Sequence, residues 1–362
     1  MQKLYYNSQK DSELTNRIFE LIGNAKSYIK TGNFFFKDPK LNEALIMAAE
    51  RGVAIFVISN LRGDEERGKK YMKRDMEISS ETDPHIPHLH ELHRKGIHVH
   101  LSNDLHAKFL IADGEEGLIM SANYTPDSLY GNPENGVDIK GEELNDLEYL
   151  FDVLFTNQDI VLSEDGNKYH YLMTSKPIDS NLFKEVGKKS KLVFTAKSSK
   201  NNLQNCSYKM IYTAIAEVIN SAKEYLIMVS WSYKRINDLP LIRDAVRAAI
   251  KRGVNVTILY SDKMPEDKLT GTEIELKKMV GKDNVKSCCH KFTANHSKCV
   301  LSEKKGIMFT ANIDGESGLL SGFEIGCMLS DEQREQAINR INQILKNEPN
   351  RTFRRSTSIL FR

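Results

Sequence analysis

The sequence predicts an α/β fold made of two duplicated lobes, each a mainly parallel sheet flanked by helices. Three observations carry this: one helix-strand pattern that recurs in both halves, a β-α-β-α-β order within each copy, and a length of 362 residues. That length accommodates two lobes of roughly 100–200 residues each.

The first copy opens with RIFELIGNAKSYI, ending at Ile29, and the second with YTAIAEVINSAKEYL, ending at Leu226. Each reads as an amphipathic helix, then Ala-Lys, then an apolar run with the character of a buried strand, IKTGNFFF in one and LIMVSWSY in the other. A second helix and strand follow, ALIMAAERGVAIFVIS to Ser59 and AVRAAIKRGVNVTILYS to Ser261. In both, Arg-Gly closes the helix, so Gly52 and Gly253 are expected to supply left-handed C-terminal caps. A third unit is ELHRKGIHVHLSN in the first copy and, more loosely, EIELKKMVGKDNVKSCC in the second. Parallel strands need crossover connections, and these helices supply them.

The expected domain limits are residues 1–158 for the first lobe, 159–190 for a polar, glycine-containing connecting segment, and 191–362 for the second lobe with a basic tail. Gly52 lies 54 positions before His106, whereas Gly253 lies 43 before His296, so the first copy carries about 11 extra residues. They fall in the charged stretch NLRGDEERGKKYMKRDMEISSETDPHIPH, a surface insertion or a cover for the site.

An apolar fraction of 40% and a charged fraction of 28% exclude disorder as the default. The start, MQKLYYNSQKDSELTNRIFE, lacks the pattern of a signal peptide, and no run of about 18 apolar residues occurs, so a cytoplasmic chain without a transmembrane segment is the simplest expectation. Five cysteines (Cys206, Cys288, Cys289, Cys299 and Cys327) form no regular framework, which fits free thiols. Net charge is only +2, but the tail from Lys346 carries Arg351, Arg354, Arg355 and Arg362 against Glu348.

The chemistry sits in a repeated motif. His106-Ala-Lys108 with Asp113 is one copy of H-x-K-x4-D, and His296-Ser-Lys298 with Glu303 is a second in which glutamate replaces aspartate. On a strand, His and Lys at i and i+2 share a face, with Phe109 and Ile111, or Cys299 and Leu301, on the other. Downstream come Ser121-Ala-Asn123 and Thr310-Ala-Asn312, then Glu134-Asn-Gly136 and Glu324-Ile-Gly326. The interval from histidine to this glutamate is 28 positions in both copies. These residue types suit phosphodiester cleavage. Histidine serves as nucleophile or acid, a carboxylate fixes its tautomer, and lysine and asparagine stabilise charge on the phosphoryl oxygens. Two such histidines allow in-line displacement with no metal or other cofactor.

On these motifs the chain resembles the phospholipase D superfamily, whose signature is H-x-K-x4-D with a trailing Gly-Ser-x-Asn. The resemblance spans nearly the whole chain and implies two lobes packed about a pseudo-twofold axis with both motifs in one site. It implies that His106 is the nucleophile that forms a phosphohistidine, that His296 is acid and base, and that Glu134 and Glu324 orient histidines. The family glycine before the serine is Met120 here in one copy and Phe309 in the other. The aspartate, represented by Asp113 and Glu303, acts mainly through structure in that family.

Other clusters are weaker. Seven of the ten histidines fall at His85, His88, His90, His93, His98, His100 and His106, but no acid or cysteine completes a metal set, and a rim around an anionic cleft is the alternative. Cys288-Cys289-His290 reads as core, and Trp231 as core or cleft wall. For substrate, basic clusters at Gly68 to Arg74, Lys188-Lys189 and the tail favour a polyanion, so a nuclease acting on DNA or RNA is the first expectation. Phospholipase or phosphatidyl transferase, DNA-end-processing phosphodiesterase and phosphate-binding scaffold are the alternatives, with protein partners in bacterial defence or repair as a further expectation.

Overall fold

Apolar residues at i, i+4, i+7 and i+8 start both lobes. In helix α1 (Glu13–Asn24) Leu14, Ile18, Leu21 and Ile22 are buried, and in the helix Met210–Ser221 the buried set is Ile211, Ile215, Val218 and Ile219. The computed structural model describes residues 3–60, 85–102, 104–157, 160–165, 168–173, 180–196, 208–315, 318–320 and 322–347. The charged insertion from residue 61 to 84, Cys206 and the basic tail lie outside the described residues.

The first lobe runs β1 (Leu4–Ser8), β2 (Asp11–Ser12), α1, β3 (Tyr28–Asn33), α2 (Pro39–Glu50), β4 (Ala54–Asn60), α3 (Ile86–Arg94), β5 (His98–Ser102), β6 (Phe109–Ala112), β7 (Glu116–Met120), α4 (Pro126–Tyr130), β8 (Glu134–Ile139) and α5 (Glu142–Thr156). Strands β9 (Ile160–Asp165) and β10 (Lys168–Met173) follow and join this first sheet, although they fall in the stretch expected to connect the lobes. The sheet order is β10-β9-β5-β4-β3-β6-β7-β8-β1-β2.

The second lobe has β11 (Leu192–Ala196), β12 (Tyr208–Lys209), α6 (Met210–Ser221), β13 (Tyr225–Val229), α7 (Pro240–Lys251), β14 (Asn255–Ser261), α8 (Glu266–Val280), α9 (Val285–Cys288), β15 (Cys289–Phe292), β16 (Cys299–Ser302), β17 (Gly306–Phe309), β18 (Glu324–Met328) and α10 (Asp331–Asn347). Its sheet order, β12-β11-β18-β17-β16-β13-β14-β15, repeats that of the first lobe around the motif strands.

Two expectations need refining. The helix-connected strands β3, β4 and β5 are parallel, as are β13, β14 and β15, but the remaining pairs are antiparallel, so each sheet is mixed rather than mainly parallel. The cause is local. Short turns join β6 to β7 and β16 to β17, and a short turn permits only an antiparallel return. The His-x-Lys segments also lie just before β6 and β16, in the extended run-in, not within the strands.

Gly52 and Gly253 do cap their helices, at φ +92° and +80°. Val53 N–H reaches Ala48 O at 3.2 Å and Val254 N–H reaches Ala249 O at 3.1 Å, which satisfies carbonyls the helix leaves open. The chain therefore turns sharply from helix into strand at matching places in both lobes.

A shared core joins the lobes. Phe109, Ile111, Phe151 and Ile119 of the first pack in one cluster with Ile227, Leu301, Phe323 and Ile325 of the second. Burying each such side chain contributes about 1.5–3 kcal/mol. The outer faces of the two sheets are covered by separate helical cores. Each lobe's last helix also reaches the other lobe. In α10, Gln336 Oε1 accepts from Leu4 N–H at 3.1 Å, and Arg340 pairs with Asp11. In α5, Glu143 Oε1 accepts from Lys191 N–H at 3.3 Å at the start of the second lobe, and Asp146 accepts from Gly187 N–H at 2.8 Å and Ser190 Oγ at 2.6 Å in the segment leading to it.

Candidate active site

Strands β8 and β18 each carry a glutamate to the histidine of the opposite lobe. Glu324 Oε1 lies 2.6 Å from His106 Nδ1, and Glu134 Oε1 lies 3.5 Å from His296 Nδ1. Backbone bonds hold this exchange in place. His106 N–H and Ala107 N–H both donate to Phe323 O, at 3.0 and 2.9 Å, and His296 N–H donates to Pro133 O at 2.9 Å. In both cases the acceptor is the residue immediately before the glutamate, so the pseudo-twofold relation extends to single hydrogen bonds.

The serine and threonine of the downstream motif hold the glutamates. Thr310 Oγ1 donates to Glu324 Oε2 at 2.5 Å and accepts Ile325 N–H at 3.1 Å. Ser121 Oγ donates to Glu134 Oε2 and accepts Asn135 N–H at 2.9 Å. The glycines that follow explain the Glu-x-Gly spacing. A Cβ at Gly326 would sit 2.7 Å from Met308 O, and one at Gly136 would sit 2.4 Å from Leu14 Cδ1. Both strands run too close to their neighbours for a side chain.

Lys108 and Lys298 are buried, and each ammonium donates to the carbonyl of its own motif histidine, Lys298 Nζ to His296 O at 2.7 Å and Lys108 Nζ to His106 O. Burial, then the Lys298 charge, push Lys108 down to about 7 against the pull of Glu324 and Glu134. Lys298 is lowered by burial as well. This cationic pair is what an anionic phosphate would neutralise.

The two histidines keep ring edges open, at 32% exposure for His106 and 29% for His296, while Glu324 and Glu134 are almost fully buried. Burial lowers His106, with Glu324 opposing it. Burial and the two lysines push His296 down to about 3. Both rings are therefore neutral at neutral pH. The glutamates differ. Burial raises Glu134, whereas at Glu324 the same burial is outweighed by His106, Lys108 and the Thr310 hydroxyl, which hold it below the usual range. With its Nδ1 committed to Glu324, His106 presents Nε2 as the free lone pair.

Asn123 and Asn312 are half-buried, and the Oδ1 of each is enclosed without a hydrogen-bond partner. Asp113 and Glu303 sit away from this cluster. Asp113, itself at φ +56°, accepts N–H bonds from Lys26, Ser27 and Tyr28 at 2.9, 2.7 and 2.9 Å. Glu303 accepts from Lys223, Glu224 and Tyr225 at 2.9, 3.3 and 3.5 Å. Each thus ties the end of the motif strand to the start of its neighbour in the sheet, β6 to β3 and β16 to β13.

Three residues near the site were not singled out as site residues from sequence. Asn135 is buried and clamps the peptide of Lys298 across the lobe boundary, accepting from its N–H at 3.2 Å and donating to its carbonyl at 3.4 Å. Phe34 flanks His106 edge-on at 4.9 Å, and Trp231 flanks His296 at 5.8 Å. They occupy matching positions after β3 and β13, an equivalence readable by aligning NFFF with SWSY. Trp231 is thereby cleft wall. Of the histidine-rich stretch only His106 enters the site described; His98 stacks on Phe56 and His100 on Phe155. No His, Cys, Asp and Glu group among the described residues has the arrangement of a metal site.

Comparison with known proteins fits this arrangement. Residues 18–154 and 215–347 each match the family described as "Cardiolipin synthase, PLD-like domain". The chain is similar to the major cardiolipin synthase ClsA of Bacillus subtilis, at 23% identity over 257 residues, 68% of this chain. It spans about half, 49%, of that protein's length. A crystal structure of phosphatidylserine synthase from Haemophilus influenzae superposes with a TM-score of 0.65 at 15% identity, covering 95% of this chain and 86% of that one. Polyphosphate kinase from Porphyromonas gingivalis gives 0.56 at 13% identity, covering 95% of this chain and 50% of that one. Both structures share the fold.

Proposed function

This chain belongs to the phospholipase D superfamily, with a PLD-like domain in each half, and is a phosphodiester-cleaving enzyme; from that premise we propose that it transfers a phosphatidyl group between alcohols in phospholipid synthesis. The supporting observation is the match of both halves to a family named for cardiolipin synthase, joined by a curated relative of the same name. The nuclease expectation gives way to its alternative. The ground is those two matches; of its basic clusters, residues 68–74 and the tail lie outside the described residues, and Lys188 is paired with Glu185 at 2.6 Å. No helix among the described residues is long and apolar enough to cross a membrane.

In this reading His106 Nε2 attacks phosphorus while Glu324 holds the Nδ1 proton and takes up the charge that forms on the ring. Lys108, Lys298 and the Asn123 and Asn312 amides bind the phosphoryl oxygens. His296 starts neutral, held down by burial and then by the two lysines, and an anion arriving between those lysines offsets their charge. It then takes a proton, gives it to the leaving alcohol, and removes one from the acceptor in the second step. The Glu324 contact at 2.6 Å against 3.5 Å for the other pair supports His106 as the nucleophile.

The test is incubation of the full chain, in chelator, with phosphatidylglycerol vesicles and, separately, with labelled DNA and RNA. Lipid transfer products without nucleic-acid cleavage are expected. Cleavage of nucleic acid with lipid left intact returns the nuclease.

A further inference from the structure

Trp231 follows β13 by two residues, and its indole lies 5.8 Å from the His296 ring, tilted by 49°. Its Nε1 donates to Lys263 O at 3.3 Å, which fixes the ring. Lys268 Nζ stands over the indole at 5.0 Å, and no carboxylate among the described residues pairs with that ammonium. The matching ring in the first lobe, Phe34, lies 4.9 Å from His106, and the cation over it is the motif lysine itself, Lys108, at 5.6 Å. The ring beside His296 thus carries a cation from outside the two motifs, whereas on the His106 side the outside cation, Lys37, stands over the next ring along, Phe35, at 4.4 Å.

In-line displacement gives the asymmetry a meaning. With His106 attacking from one side of phosphorus, the leaving oxygen departs toward His296 and the acceptor enters from there. We propose that Trp231 and Lys268 form the subsite for the leaving and accepting alcohols, and that Lys268 selects an acceptor carrying a second phosphate. This rests on the transferase reading above.

The steps balance as follows. First the N–P bond to His106 forms, the P–O bond to the leaving alcohol breaks, and the leaving oxygen takes the His296 proton. Then the acceptor hydroxyl gives its proton to His296 as its oxygen bonds phosphorus and the N–P bond breaks. Water can replace the acceptor, so transfer and hydrolysis branch from one intermediate. The ammonium holds the acceptor's phosphate by a charge-assisted contact, and the indole face packs its carbons and excludes water.

The experiment uses the full chain on phosphatidylglycerol vesicles with added ethanol. Three products then report on one intermediate: diphosphatidylglycerol from a phosphate-bearing acceptor, phosphatidylethanol from a neutral one, and phosphatidic acid from water. Product ratios are independent of how fast the intermediate forms, so a slower variant still gives a valid answer. Lys268→Ala should lower the diphosphatidylglycerol to phosphatidic acid ratio about five- to tenfold, the cost of one charge-assisted contact, and leave phosphatidylethanol to phosphatidic acid within about twofold. Lys268→Arg should restore the first ratio. A Lys268→Ala variant with both ratios unchanged, or both lowered alike, overturns the subsite. Wild-type protein that makes phosphatidylethanol but no diphosphatidylglycerol overturns it while sparing the lipid reading. Wild-type protein that makes no lipid product at all overturns both.

Discussion

His106 Nδ1 and Glu324 Oε1 lie 2.6 Å apart across the boundary between the lobes, a full hydrogen bond, whereas His296 and Glu134 stand 3.5 Å apart and Glu134 Oε1 has no hydrogen-bond partner. The two halves are alike in sequence spacing and unlike in engagement. Glu324→Gln should slow formation of the covalent intermediate on the order of 10²–10³-fold, since the carboxylate that stabilises the charged ring is gone. Glu134→Gln should spare that first burst relative to Glu324→Gln and slow turnover instead. Rapid-quench measurement of the burst of released alcohol separates them. Equal loss of burst in both variants would mean that the difference in distance has no kinetic consequence.

Burial and then Lys298 push Lys108 down to about 7, so its ammonium is lost as pH rises through that value. The profile of kcat/KM, which reports the free enzyme, should therefore fall as pH rises through about 7, while kcat, measured with the anion bound, persists to higher pH. The sign for stability is the reverse. In the unfolded chain this lysine keeps its ordinary value of 10.5, so unfolding takes up a proton between about 7 and that value, and stability from this group rises over that range. Lys108→Met should abolish turnover and flatten this rise of stability between about 7 and 10.5. A Met variant whose Tm rose over that range as steeply as the wild type's would refute the assignment of the lowered value to Lys108.

Asp113 holds three backbone N–H groups at 2.9 Å or less, and Glu303 holds three at 2.9 to 3.5 Å. These bonds keep both carboxylates below their ordinary values despite partial burial. Depressed carboxylates stabilise the fold above their unfolded values, and the contribution disappears as pH falls through the folded ones, which lie below the ordinary carboxylate range. Asp113→Ala should lower stability by about 1–3 kcal/mol and Glu303→Ala by less, because its contacts are longer. Chemical denaturation at pH 7 and again at pH 3 measures this. The gap between Asp113→Ala and wild type should shrink at the lower pH, and kcat per folded molecule should hold in both variants.

Much of this was legible because the duplication repeats short-range signals. The apolar spacing of α1 and α6, the capping glycines Gly52 and Gly253, and the motif residues from His106 to Glu324 can all be read along the chain. What could not be read is set by contacts between distant segments. Nothing in the 28-residue spacing says that Glu324 serves His106 and Glu134 serves His296, since that exchange depends on how the two sheets pack. Asn135 looks like filler between Glu134 and Gly136, and its counterpart is Ile325, so the repeat offers no hint of its hold on Lys298. The mixed sheets escaped for a similar reason. The β6–β7 and β16–β17 hairpins turn over only a few residues, Asp113 to Glu115 and Glu303 to Lys305, and the eye follows the longer helical crossovers.

The Glu-x-Gly glycines give a last, sharper test of the two strands that carry the glutamates. A methyl at Gly326 would meet the backbone oxygen of Met308 at 2.7 Å, and β17 cannot yield without breaking its pairing with β16. A methyl at Gly136 would meet chiefly the end of the Leu14 side chain, at 2.4 Å, which can change rotamer, while the nearest backbone oxygen is 3.4 Å away. Gly326→Ala should therefore cost about 2–3 kcal/mol and Gly136→Ala about 1 kcal/mol, both by overpacking. Because β18 positions Glu324 against His106, Gly326→Ala should also weaken the covalent burst in the molecules that remain folded, by more than Gly136→Ala does. Thermal unfolding and burst amplitude per folded molecule, taken on the same preparations, check both parts, and a Gly136→Ala variant more damaging than Gly326→Ala in both would contradict the packing argument.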